Sequence, residues 1–126
     1  MNLKKKILIV DDDQFMRELL IEKLTEIGYD VSSVSESFLA LTTIKENKPD
    51  LILLDILLPG LSGLETLNVL RASDDSLHIP VILISRLDEP ELIRTAQRLG
   101  ADDYLVKPFT AEVLIEKIKD IRGFGN

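Results

Sequence analysis

The chain alternates between short apolar runs and longer stretches in which apolar residues recur every three or four positions. The runs cover residues 7–10, 31–34, 51–54, 81–84 and 104–106. Three are almost continuous in Ile, Leu and Val, as expected of strands covered by helices on both faces. The run at 31–34 is weaker, because Ser32 and Ser33 interrupt it. Between the runs, Phe15, Met16, Leu19, Leu20, Leu24 and Ile27 predict a helix that Gly28 stops. Ala40, Leu41 and Ile44 mark a second helix, ended by Asn47 and Pro49. Ser62-Gly63-Leu64-Glu65 reads as a capping box ahead of Leu67 and Leu70. Residues 88–91 open a fourth helix, which tolerates Pro90 in its first turn. Its inner stripe is Leu92, Ile93, Ala96 and Leu99, and Gly100 closes it. Thr110 caps a fifth helix carrying Val113, Leu114, Ile118 and Ile121. Strand followed by helix, five times over, predicts an α/β fold with a parallel sheet between two helical layers.

Composition narrows the function classes. A length of 126 residues fits one domain, and 45% hydrophobic with 29% charged residues suits a globular chain. The net charge of −7 disfavours direct nucleic-acid binding and anionic membranes. The absence of Cys excludes disulfides, thiol catalysis and thiolate metal sites. "MNLKKKILIVDDD" places only four apolar residues in a row before the acids, too few for a signal-peptide core or a membrane span. The expectation is a cytoplasmic protein. "RGFGN" reads as a helix end or the start of a linker, so residues 1–122 are taken as the domain and 123–126 as a short tail.

The chemistry gathers at the strand ends, where open α/β sheets form their sites. The first strand runs into Asp11, Asp12 and Asp13, the third into Asp55, the fourth into Ser85 and the fifth into Lys107-Pro108. Adjacent carboxylates about 5 Å apart repel by roughly 3 kcal/mol at an effective dielectric near 20. Such a cluster calls for a hard cation, and Mg²⁺ suits one or two carboxylates with waters and phosphate oxygens. Lys107 neutralises part of the remainder, and Asp55 is a candidate ligand, nucleophile, or both.

"ILIVDDD", "PDLILLDILLPGLSG", "IPVILIS" and "GADDYLVKPF" occur in this order. Together they resemble the response-regulator receiver domain of two-component signalling, of the chemotaxis-receiver kind, from Lys4 to about Arg122. The resemblance implies a flavodoxin-like (βα)5 three-layer sandwich whose five-stranded parallel sheet has the order 2-1-3-4-5. It implies that Asp55 accepts a phosphoryl group from a phosphohistidine. Asp12 would hold Mg²⁺ directly and Asp11 through water, with the backbone carbonyl of Leu57 as a further ligand and Mn²⁺ as a substitute ion. Ser85 would hydrogen-bond the phosphoryl group, Lys107 would pair with its oxygens, and Tyr104 would turn inward as Ser85 moves. The switching face would be the fourth helix, fifth strand and fifth helix, and a cis Lys107–Pro108 bond is implied as well. The implied partners are a sensor histidine kinase or histidine phosphotransfer protein, and a downstream target or covalently linked output domain. A phosphorylation-dependent dimer is also compatible. The implied role is regulatory: the domain assists its own phosphorylation and dephosphorylation without being a turnover enzyme.

Several residues have plainer readings. Asp13 fits an N-cap, not a ligand. Ser85 can be a strand-end residue, Tyr104 core packing, and Asp11 and Asp12 solvated loop acids. His78 stands alone before Pro80 and reads as a surface residue. Three positions depart from the family pattern. Arg86 follows Ser85 where a small residue is usual, able to bind the phosphoryl group or to block small donors. Leu57 and Leu87 flank the site where polar residues are frequent, and are expected to hinder the hydrolytic water. Phe38 and Leu39 beside the Ala40 stripe read as a partner surface or as extra core.

Rival readings remain. Asp11 and Asp13 have the Asp-x-Asp spacing of a haloacid-dehalogenase-type phosphatase, although Phe15 stands where that motif wants Thr or Val. A flavodoxin-like FMN carrier would need a Ser/Thr/Gly-rich phosphate loop where this chain is acidic. A degenerate receiver signalling without phosphate is opposed by the full set of Asp, Ser and Lys.

Overall fold

The computed structural model describes residues 3–125. Strands β1 (Lys6–Val10), β2 (Asp30–Val34), β3 (Leu51–Asp55), β4 (Val81–Ser85) and β5 (Asp103–Val106) alternate with five helices. The helices are α1 (Gln14–Glu26), α2 (Ser37–Glu46), α3 (Gly63–Arg71), α4 (Pro90–Arg98) and α5 (Ala111–Lys119). All strand pairs are parallel, in the order β2-β1-β3-β4-β5. This is the flavodoxin-like arrangement, with the strand order that the resemblance implies.

Alternation along each strand divides the core into two layers. Ile7, Ile9, Leu51, Leu53, Ile82 and Ile84 face Leu20 and Leu24 of α1 and Leu114 and Ile118 of α5. Leu8, Val10, Ile52, Leu54, Val81 and Leu83 face Ala40, Ile44, Leu67, Leu70 and Ala96 of α2, α3 and α4. β3 and β4 are buried throughout, as their unbroken apolar runs demand, whereas β2 is a partly exposed edge. The Ser32-Ser33 interruption is the signature of that edge.

Some inward faces differ from the sequence reading. Phe15 is 73% exposed, and Leu19 and Ile27 also face outward, so α1 packs through Met16, Leu20, Ile21 and Leu24. Val113 is likewise outside and Ile115 packs instead. After α5 the chain turns at Gly123 (φ +91°) and returns Phe124 to the core, where its ring lies 5.7 Å from that of Tyr29.

Arg71, at the end of α3, ties distant loops together. Its guanidinium donates to the carbonyls of Gly100 (2.9 and 3.0 Å) and Ile79 (2.8 Å) and to Asp102 Oδ2 (3.2 Å). Asp102 Oδ2 also accepts from Val81 N–H at 2.8 Å, so the start of β4 is held from outside the sheet.

Candidate functional site

Sheet register brings the acids together. Val10 pairs with Leu54 across β1 and β3, so Asp11 and Asp55 end neighbouring strands. In this order β1 is followed by β2 on one side and flanked by β3 on the other, so the two acids sit where the winding reverses. Asp11, Asp12 and Asp55 each offer one oxygen within 4.8 Å of the others. Asp11 and Asp55 are buried, whereas Asp12 is open to solvent.

Lys107 enters from the far side. Ser85 pairs with Val106 across β4 and β5, which sets Lys107 just past the strand end. Its Nζ lies 2.8 Å from Asp11 Oδ2 and 2.8 Å from Asp55 Oδ2. The Lys107–Pro108 bond is cis. The second oxygens take backbone donors: Leu57 N–H donates to Asp55 Oδ1 at 3.1 Å and Asp13 N–H to Asp11 Oδ1 at 3.0 Å. Burial raises the Asp55 pKa above its ordinary value, and this outweighs the hydrogen bond and charge of Lys107. For Lys107, burial acts to lower the pKa, but the bonds and charges of Asp11 and Asp55 raise it overall. The ammonium therefore stays charged between the two acids.

Ser85 is fully buried, and its Oγ accepts from Leu87 N–H at 3.2 Å. The Leu87 carbonyl in turn accepts from the Tyr104 hydroxyl at 2.6 Å. Leu87 thus links the two residues through its backbone. Asp13 caps α1, accepting from Met16 N–H at 3.2 Å. An open cleft of about 220 Å³ lies over the acids, lined by Asp12, Asp13, Asp55, Leu57, Arg86 and Lys107. Ser85 is beside this cleft in the sheet but is not part of its lining.

Two supporting residues escaped the sequence reading. Arg17 donates to the Asp11 carbonyl at 2.8 Å and braces the β1–α1 turn. A basic residue one helical turn after an acidic run is the signal for it. Gly63 packs on the end of β3, and a Cβ there would strike the Asp55 carbonyl oxygen and come within 2.7 Å of Ile56 Cα. The glycine within the capping box is its only trace in the sequence. Phe38 is 56% exposed and Leu39 is exposed beside it, so neither is core.

A family model described as "Response regulator receiver domain" matches residues 7–119, and the chain belongs to this family. It is a receiver domain of the two-component response-regulator type, and its acidic pocket is consistent with a phosphoacceptor site. Among relatives, the DNA-binding response regulator MtrA of Mycolicibacterium paratuberculosis is 33% identical over 93% of this chain and 51% of its own. A probable transcriptional regulator, ycf27, of Pyropia yezoensis is 38% identical over 95% of this chain and 48% of its own. The chain thus spans about half the length of the curated relatives it matches. Chemotaxis protein CheY4 of Vibrio cholerae superposes with a TM-score of 0.89 at 26% identity, covering 94% of this chain and 99% of its own. The BeF3-activated receiver domain of Klebsiella pneumoniae RstA gives 0.85 at 31%, covering 91% and 96%. Among the described residues no helix is long and apolar enough to cross a membrane.

Proposed function

We propose that Asp55 is the phosphoacceptor, taking a phosphoryl group from a phosphohistidine with a divalent ion bound beside it. The observation that carries this reading is Lys107 held 2.8 Å from both Asp11 and Asp55, at the edge of a three-carboxylate cluster. The donor set fits Mg²⁺ or Mn²⁺: all the atoms are hard oxygens, and exposed Asp12 leaves room for coordinated water. Asp12 would bind the ion directly, with Asp55 and the Leu57 carbonyl, and Asp11 through water. When bound, the ion supplies charge neutralisation to phosphoryl oxygens.

The chain's own residues do the rest. An Asp55 carboxylate oxygen forms the new O–P bond as the donor N–P bond breaks, and the leaving imidazole nitrogen keeps the electron pair and is protonated. No general base is needed, because the attacking group is already ionised. Lys107 shifts its hydrogen bonds toward the incoming oxygens. Ser85 turns toward the same group, and in doing so gives up Leu87 N–H. The bond from Tyr104 to the Leu87 carbonyl then loosens, and the α4–β5–α5 face rearranges. A swing from 1:99 to 99:1 would require a preference of about 5.5 kcal/mol for the active state.

On this reading the domain is a cytoplasmic regulatory acceptor rather than a turnover enzyme. It takes its group from a sensor histidine kinase or phosphotransfer protein and signals to a separate target or an attached output domain. Incubation with Mg²⁺ and acetyl phosphate, followed by intact-mass measurement, tests it. One hydroxylamine-labile phosphoryl increment is expected on the native chain and none on Asp55→Asn. Equal labelling of both would reject Asp55 as the acceptor.

A further inference from the structure

We propose that Arg86 is a second cationic ligand for the phosphoryl group, engaged only when Asp55 carries it. This rests on the reading of Asp55 as the acceptor. Arg86 follows Ser85 directly at the end of β4, the strand next to β3. It lines the same cleft as Asp12, Asp13, Asp55 and Lys107. Among the described residues it makes no ion pair and its side chain donates no hydrogen bond, while Arg17 and Arg71 are both committed to backbone carbonyls. Arg86 is exposed, so holding it ready costs little desolvation.

Charge balance gives this cation a task. Three clustered carboxylates face one ammonium, and a divalent ion brings that set to neutrality. A phosphoryl group on Asp55 carries about two negative charges where the carboxylate carried one. One negative charge is then in excess. Lys107 is already shared between two acids, and Arg86 is the remaining cation of the cleft lining. A guanidinium pairs with two phosphoryl oxygens at once, in a geometry an ammonium cannot reproduce. Before phosphorylation the same positive charge, in the lining of the cleft, opposes the incoming ion.

The two roles have opposite signs, and the test uses that. Native chain, Arg86→Ala and Arg86→Lys are titrated with beryllofluoride at saturating Mg²⁺, and separately with Mg²⁺ alone, by calorimetry. Arg86→Ala is expected to weaken beryllofluoride binding about tenfold, and Arg86→Lys about threefold, as the bidentate contact is lost. Mg²⁺ alone is expected to bind Arg86→Ala as tightly as the native chain or more tightly. Unchanged beryllofluoride affinity in Arg86→Ala would overturn the proposal. So would parallel weakening of both ligands, which marks general damage to the cleft. Failure of the native chain to bind beryllofluoride would instead overturn the phosphoacceptor reading itself.

Discussion

The ammonium of Lys107 lies 2.8 Å from Asp55 Oδ2 although the two residues are 52 positions apart in the chain. It bonds Asp11 at the same distance, so one cation holds two buried acids that would otherwise repel. Replacing Lys107 by Met leaves those acids unpaired. The metal-free fold should lose about 3 kcal/mol in denaturant titration, the cost of breaking a buried pair. Added Mg²⁺ should return much of that loss, because the variant site has one fewer competing cation.

Burial sets the sign of the pH response at Asp55. Its pKa is raised in the folded protein, so the fold holds this proton more tightly than the unfolded chain does. The native state is therefore favoured at low pH, and that contribution is lost as pH rises from the ordinary value of 3.8 through the raised folded value. Asp55→Asn has no charge to bury. In metal-free protein it should be more stable than the native chain near neutrality and show no such advantage below pH 3.8. Chemical denaturation at several pH values checks this.

Gly63 is fitted against the end of β3. Its N–H donates to the Ile56 carbonyl at 2.8 Å, and no room remains for a side chain. Gly63→Ala should cost about 2 kcal/mol of stability through overpacking. Because the displaced atoms belong to Asp55 and Ile56, metal affinity should also fall. Gly123→Ala, on a distant turn, should leave metal affinity unchanged.

Leu57 is 54% exposed and lines the cleft, while Leu87 is half-buried beside Ser85. Neither side chain can orient a water by hydrogen bonding. Leu57→Asn with Leu87→Glu should speed loss of the phosphoryl group by on the order of tenfold, about 1.4 kcal/mol of barrier. Acyl-phosphate decay measures it, and equal rates in both proteins would reject any shielding by the leucines.

The sheet was legible, and so was the gathering of Asp11, Asp12, Asp55 and Lys107, because both are written at strand ends. Unbroken Ile/Leu/Val runs mark buried strands; β3 and β4 end on Asp55 and Ser85, and β1 and β5 end one residue before Asp11 and Lys107. Helical faces were less legible. Phe15, Leu19 and Ile27 fit the spacing of α1 yet lie outside, because apolar residues there cover more than one face and the sheet accepts only one. Arg71 and Phe124 were illegible for another reason. Their partners, Gly100 and Tyr29, are brought near only by the finished fold. Arg17 and Gly63 act on backbone atoms, and no residue type at the receiving end advertises the contact.

The most direct measurement is a beryllofluoride titration of the native chain and of Asp55→Asn, each with and without Mg²⁺. Saturable binding by the native protein only, and only with Mg²⁺ present, is the expected result. Equal binding by Asp55→Asn, or binding by the native chain that ignores Mg²⁺, would contradict a shared acid, metal and phosphoryl pocket.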